Sequence, residues 1–414
     1  MTLGTSLFQV LNARAFNRLD TKIAGLQEDI SRGTEDPRSS ADAVRAQRLS
    51  VAKEQKDMLD RFEGNLIIAE KRLSLTDDTL GDTIDILQYL RTISVRAADA
   101  NVTPDERTAL VLEVREYREA LISQANLRDD TGRPLFGGFM GRGDPFVDTD
   151  EGVKYIGDGG KHTLRVSESA SVATGVDGNE TFMAVPTRSG EIRSMFEIVD
   201  DFIFALKNNE TLHDNIQTDT SMEMHLTSTQ GKSNWSFTLG EGAAAVTINA
   251  ELVNGQPAPA IAAINKVSSQ TGVTAAFSED GKGMVLSGPS GVNLSALKVD
   301  PAKVGELAKV TVDGDTMRMV APGRTKTGMI DDVTSLSSHI ANMRAVVGSQ
   351  GQSVDRYQAL VIDRRVIMDE AISGLQDLDI AEAITKVQSL MTTRSASQSS
   401  YVKISQSSLF DYLR

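Results

Sequence analysis

The stretch "LDRFEGNLIIAEKRLSLTDDTLGDTIDILQYL", residues 59–90, decides the fold. Leu59, Leu66, Leu73, Leu80 and Leu87 recur every seven residues, and Phe62, Ala69, Thr76, Thr83 and Leu90 fall three later in each heptad. Seven residues make nearly two helical turns, so both series line one narrow seam of a long helix. A seam this narrow needs a partner helix to bury it. The helix is expected from Ser40 to Ala100, about 90 Å at roughly 1.5 Å per residue, with Ser39 or Ser40 as its N-cap. "NVTPDE" (Asn101–Glu106) ends it. Thr103-Pro104 opens a second helix, with Asp105 and Glu106 in the first turn where acid is favoured, running to about Asn126.

The same signature stands at both ends of the chain. Phe16, Leu19, Ile23, Leu26 and Ile30 alternate at spacings of three and four, and Leu3, Leu7 and Val10 begin that pattern earlier. Gly33 and Pro37 break it. Downstream, Met329, Val333, Leu336, Ile340, Met343 and Val347 form a matching stripe, continued by Val354, Tyr357, Val361, Met368 and Leu375. A terminal helix follows, with Ile380, Ile384, Val387 and Met391 on one face and Val402 further on. Last comes "SQSSLFDYLR" (residues 405–414), a polar run that ends in the apolar Leu409, Phe410 and Leu413.

The middle has a different texture. Val153–Ile156, His162–Val166 and Ser171–Val176 read as strands, and "GDGGK" (157–161) and "EDGKG" (279–283) as hairpin turns. Met195, Phe196, Val199, Ile203 and Leu206 mark a short helix. From 218 to 320 lie short strands: "MEMHLTS", "NWSFTL", "AVTINA", "VTAAFS", "GMVLSG", "AKVTVDG" and "TMRMV", with one helix at Ala258–Gln270. The fold class is therefore mainly α with an α+β insert. Its expected form is an elongated antiparallel coiled coil or helical bundle of the N- and C-terminal halves, a β-hairpin, and a projecting β-rich outer domain. The domains fall at 1–38 with 376–414, at 39–217 with 321–375, and at 218–320.

Composition narrows the function. A chain of 414 residues has room for two to four domains. Aromatics are scarce at 5%, with one tryptophan, Trp235. A net charge of −14 opposes binding to nucleic acid, which relies on Lys and Arg, and to an anionic membrane surface. With no cysteine, disulfides, thiolate metal sites and cysteine nucleophiles are excluded together. No leader sequence opens the chain and no apolar run reaches membrane-spanning length.

Chemistry is sought and not found. His162, His213, His225 and His339 include no i, i+4 pair and no HExxH, which disfavours a zinc hydrolase. His339, beside Ile340, reads as a packed or solvated helix position. "QGKS" (Gln230–Ser233) lacks the earlier glycine of a phosphate loop, since Leu226 stands there, and reads as a turn. "RGD" at Arg142–Asp144 is turn chemistry in a Gly-rich loop, and the Asn-x-Ser/Thr triplets opened by Asn101, Asn179, Asn209 and Asn293 carry little weight without a secretory signal. No catalytic, cofactor-binding or metal-binding residue is assigned, no small-molecule substrate is identified, and the chain is not read as an enzyme.

Three stretches carry a resemblance to a known family: Leu26–Ser50, a helix, break and Ala-rich restart; Thr131–Phe139, "TGRPLFGGF", with Tyr155–Gly160 beyond it; and Asp377–Arg414. Together they resemble the bacterial flagellin superfamily and, within it, the hook–filament junction proteins. Ala262–Gly288 is similar to a repeat in the outer domains of flagellins and hook-associated proteins. The resemblance implies a structural adaptor of the flagellum, joining hook to filament, exported through a type III channel without a cleaved signal. It implies a terminal coiled-coil domain that forms on assembly, with Leu3, Leu7, Val10, Leu19, Ile23, Leu26, Ile30, Ile380, Ile384, Val387, Met391, Val402, Leu409, Phe410 and Leu413 as its interface. It implies a motif turn at Gly132, Arg133, Pro134, Leu135, Phe136, Gly137 and Gly138. The implied partners are identical subunits in a ring-like layer, a neighbouring hook-associated protein, flagellin and an export chaperone. Two other readings stay open: a flagellin-type filament subunit, and a cell-surface module that binds a ligand through 218–320.

Overall fold

The computed structural model describes residues 3–35, 42–99, 101–150, 152–188, 190–208, 212–227, 231–242, 245–300, 303–325 and 327–407. Among these the α-helices are α1 (Leu3–Arg32), α2 (Ala43–Ala98), α3 (Pro104–Ala125), α4 (Met195–Lys207), α5 (Ala258–Lys266), α6 (Ser268–Thr271), α7 (Gly328–Gln376) and α8 (Ile380–Ser407), with one π-helical turn at Asn179–Met183. The chain divides into two compact units, 1–65 with 356–414, and 66–355.

In the first unit α1 packs on α8, and the opening of α2 lies beside the close of α7. Asp42 Oδ1 accepts the Arg45 N–H at 2.9 Å, so Asp42 caps α2. The expected caps, Ser39 and Ser40, lie outside the described residues. Leu59 and Phe62 are buried. Ion pairs join Lys56 to Asp369, and Arg365 to Asp60 at 3.3 Å and to Glu63. Numbers fall along α2 as they rise along α7, so the two run antiparallel.

In the second unit the seam of α2 is buried at Leu66, Ala69, Leu73, Thr76, Leu80, Thr83, Leu87 and Leu90. On α7, Met329, Val333, Leu336, Ile340, Val347 and Val354 are buried in turn. The seam threonines keep their hydroxyls satisfied inside the helix: Thr76 donates to the Arg72 carbonyl and Thr83 to the Thr79 carbonyl, each at 2.8 Å. Arg344 on α7 forks onto Asp77 of α2 with two bonds of 2.9 Å. α3 starts where "TPDE" predicts, with a capping box in which Glu106 N–H donates to Thr103 Oγ1 and Thr103 N–H to Glu106 Oε2. α4 has the same device in Ser194 and Glu197 and packs on α3.

Three short antiparallel hairpins lie between α3 and α4: β1 (Phe146–Thr149) with β2 (Gly152–Tyr155), β3 (Thr163–Arg165) with β4 (Ser171–Ala173), and β5 (Val185–Pro186) with β6 (Ile192–Arg193). "GDGGK" therefore links two different hairpins, β1–β2 and β3–β4, and is not itself a hairpin turn. Its Gly and Asp residues specify a bend and say nothing about pairing.

The β-rich part continues with β7 (Leu212–His213), β8 (Asn215–Thr218), β9 (Met222–Leu226), β10 (Lys232–Leu239), β11 (Val246–Val253), β12 (Thr274–Phe277), β13 (Met284–Ser287), β14 (Val292–Asp300), β15 (Ala308–Val312) and β16 (Asp315–Met319). A four-stranded sheet has the order β11-β10-β14-β8 and a six-stranded sheet β12-β13-β9-β15-β16-β7. All pairs are antiparallel except β16 with β7. Both sheets and α5 share one core, including Trp235, Phe237, Met224, Leu286, Leu294, Ile261 and Ile264. Trp235 donates its indole N–H to Ser233 Oγ at 2.9 Å. β14 is absent from the sequence reading because its alternation slips. Val292 and Leu294 are buried, then Leu297 and Val299, with Ala296 at φ 54° and a register shift opposite Ser236 and Thr238.

A buried ionic joint ties this part to the helices. Asp201 on α4 accepts from Arg193 and from the Gly305 N–H at 2.7 Å, and Arg324 Nε stands 3.4 Å from it. Arg193 also donates to Asp332 on α7 at 2.9 Å, and Arg324 donates to the Lys303 carbonyl. Burial pushes both the Asp201 and Asp332 carboxyls up, Asp332 to about 6, against the pull of the arginines.

Candidate assembly interface

The first candidate surface lies on α1 and α8. Between these helices Ile23, Ala383 and Val387 are buried, and Leu19, Leu26 and Ile30 are half-buried. Phe16 and Tyr401 meet edge to face at 6.2 Å, and Arg394 pairs with Asp20 at 3.0 Å. The connections on either side are stitched together: Glu35 N–H donates to the Gln376 carbonyl at 2.7 Å, and Leu378 N–H to the Gly33 carbonyl at 3.1 Å. Arg45 reinforces the same corner, bonding to the Leu375 carbonyl and to Glu35.

Pairing leaves much of the two stripes uncovered. Leu7 is 60% exposed, Met391 48% and Ile384 43%, and Val10, Ile380 and Val402 are exposed as well. Leu3 opens α1. Leu409, Phe410 and Leu413 lie outside the described residues. The predicted interface thus divides into a covered set, Leu19, Ile23, Leu26, Ile30 and Val387, and a solvent-facing set. Leu11, exposed between these positions, joins the second set and was not singled out from spacing. Exposing this much aliphatic surface on paired helices is costly unless another surface covers it.

The second candidate, Gly132–Gly138, is a packed corner. Gly132 N–H closes a turn onto the Asp129 carbonyl at 2.9 Å, and Leu135 N–H donates to the Leu127 carbonyl at 2.9 Å. From α2, Arg72 clamps the loop, pairing with Asp129 and donating to the Pro134 carbonyl at 2.9 Å. Burial works to raise Asp129, but the Thr131 hydroxyl, the Arg133 N–H and Arg72 outweigh it and hold the carboxyl below its ordinary value. Arg133 is exposed at the rim, while Pro134 through Gly138 are buried. Phe136 meets Phe182 edge to face at 4.9 Å, and Tyr155 OH donates to the Phe136 carbonyl at 3.1 Å. Gly138 sits at φ 66°, and a Cβ there would lie 1.9 Å from Asp158 Oδ1. That carboxylate accepts the Phe139 N–H at 2.8 Å, and the N–H groups of Phe139 and Gly160 hold its pKa down. The "GDGG" bend therefore packs against the "LFGGF" turn.

Beside the turn opens a groove of about 500 Å³ whose lining includes Ile68, Lys71, Arg72, Asp130, Arg133 and His162. Burial, then Arg72 and Arg133, lower the His162 pKa. His339 is buried with Nε2 3.0 Å from the Glu180 carbonyl.

Residues 258–288, which hold α5 through β13, match the flagellin hook IN motif. Flagellar hook-associated protein 3 of Escherichia coli K12 is 24% identical over 214 residues, half of this chain and 67% of the relative. The protein of that name from Salmonella typhimurium LT2 is 22% identical over the same shares. A crystal structure of flagellar hook-associated protein 3 from Legionella pneumophila aligns at 16% identity with a TM-score of 0.48, covering 79% of this chain and 98% of that one. Across half of its length, then, the chain is similar to proteins named flagellar hook-associated protein 3.

Proposed function

We propose that the chain is a non-enzymatic structural adaptor at the hook–filament junction of the bacterial flagellum. The observation that carries the assembly reading is the solvent-facing set on α1 and α8: apolar residues left uncovered after the two helices have paired. Burying them against neighbouring copies would stabilise the assembly by about 25 cal/mol per Å² of apolar surface. Similarity to relatives named flagellar hook-associated protein 3 supports that place for the assembly.

Three functional parts follow. Residues 1–38 with 376–414 form a terminal coiled-coil core completed on assembly, since a lone amphipathic helix pair with half its stripe exposed is marginal in water. Residues 39–217 with 321–375 make a long-helix part that carries the packed turn, and 218–320 an outward-facing β-rich part. The partners are identical subunits in a ring-like layer, the adjoining hook-associated protein, flagellin, and an export chaperone that holds the C-terminal helix.

Complementation tests this. Ile384→Asp combined with Met391→Asp, both exposed, should leave the secreted protein folded by circular dichroism yet give no filaments in a strain lacking its own junction protein. Wild-type motility from the double variant would refute the assembly role of this face. If the purified chain grew long filaments from its own seeds, the flagellin reading would replace the adaptor.

A further inference from the structure

We propose that Glu223, His225 and Asp280 form a binding site for a divalent transition-metal ion, zinc foremost. Glu223 and His225 stand two apart on β9, whose opposite face carries the buried Met222, Met224 and Leu226. Successive strand residues point to opposite faces, so the two share the outward face of the six-stranded sheet. Asp280 comes from the turn joining β12 to β13, and the pairing of β13 with β9 brings that turn beside His225. One donor atom from each of the three lies within 4.8 Å of the other two. Asp280 lies 55 positions after His225 and 57 after Glu223, so no spacing motif announces them.

The ring has a carboxylate at each nitrogen: Glu223 Oε1 is 3.0 Å from Nε2, and Asp280 Oδ2 is 3.8 Å from Nδ1. Neighbouring ligands of an ion with bonds of about 2.0–2.1 Å stand roughly 2.9–3.4 Å apart. The Glu223 spacing already falls in that range, and a small rotation of the partly exposed Asp280 side chain brings the other into it. A metal-bound imidazole gives its other N–H to a carboxylate. Here the ion takes one ring nitrogen together with the carboxylate beside it, and the carboxylate at the opposite nitrogen accepts that N–H.

The supports of the set are built into the turn. Asp280 Oδ1 accepts from Ser278 Oγ at 2.5 Å and from the Lys282 N–H at 2.9 Å, which leaves Oδ2 for His225. A Cβ on residue 283 would stand 2.7 Å from His225 Cε1, so the imidazole can lie on the chain there because the residue is Gly283. Lys309, the cross-strand neighbour of His225 on β15, places a cation nearby. Its long stem lets the ammonium turn to solvent. An imidazole with a carboxylate beside it suits zinc and its neighbours, whereas calcium and magnesium prefer all-oxygen sets. Partial exposure leaves remaining positions to water.

The experiment titrates zinc chloride into chelator-stripped, full-length protein at near-neutral pH by isothermal calorimetry. One ion per chain is expected, with the affinity reduced at least about tenfold by His225→Gln and again by Asp280→Asn. His162→Gln, outside the set, should bind as wild type. Zinc should raise the Tm of the wild type and not that of Asp280→Asn, while Trp235 fluorescence verifies that each variant is folded. Lack of saturable uptake by the wild type, or equal affinity in folded His225→Gln and Asp280→Asn, would overturn the site.

Discussion

Replacing Asp332 by Asn should flatten the pH dependence of stability. The Asp332 side chain is 6% exposed, and burial lifts its carboxyl from 3.8 to about 6 in the fold. Arg193 and Arg324 oppose that rise, and Asp201 and Glu191 add to it. An upward shift means that the folded chain keeps a proton which the unfolded chain releases. This contribution is therefore fully favourable below about pH 4 and is lost as pH climbs through 6. A gap of about 2 units at 1.36 kcal/mol each gives about 3 kcal/mol. Asparagine mimics the neutral acid at every pH. The variant should match wild type near pH 4 to within about 1 kcal/mol and exceed it by about 2–3 kcal/mol at pH 8. Urea unfolding followed through the single tryptophan, buried Trp235, reads this directly. Parallel stability curves would refute the reasoning. So would a variant that falls furthest behind at high pH, because the bond to Arg193 would then outweigh the desolvation of the carboxylate.

Two further substitutions probe packing. Leu80→Ala removes a fully buried seam residue of α2 and should cost about 2–5 kcal/mol in the same urea assay, with the spread set by how far α7 can close the cavity. Gly138→Ala meets both the left-handed φ and the Asp158 carboxylate, and should cost about 1–3 kcal/mol; a Tm equal to wild type would mean that the "LFGGF" corner is not fixed as described.

The long helices were legible because their signals are local. A strict heptad needs no knowledge of the partner to reveal the seam from Leu59 to Leu90, and "TPDE" carries its own capping box. β14 was hidden because the bulge at Ala296 moves the buried positions from even to odd numbers in mid-strand. "GDGGK" was legible as a bend and not as a link, since turn residues report backbone angles and not which strands pair. For the terminal stripes, spacing found the apolar positions but could not say which of them the α1–α8 pair covers. Ile23 and Ile384 look alike in sequence, yet one is buried and the other exposed. The ionic joint and the Glu223–His225–Asp280 cluster were out of reach for one reason. Their members are brought together by sheet pairing and helix packing, across tens to more than a hundred residues of chain.

The parallel pairing of β7 with β16 has a consequence for how this chain can change over time. Leu212 stands opposite Arg318 and His213 opposite Met319, and Val320 N–H donates to the His213 carbonyl at 3.0 Å. Strands so paired are about 4.8 Å apart. The points where the chain leaves α4 and returns toward α7 are thus neighbours. Everything between them could be shortened, enlarged or exchanged for an unrelated module with ends equally close, without moving either helix. The Asp201–Gly305 and Arg324–Lys303 bonds sit at this threshold and would be the contacts a replacement must restore. The fold has a socket, and natural variation in this lineage has room to act there while the helices stay fixed.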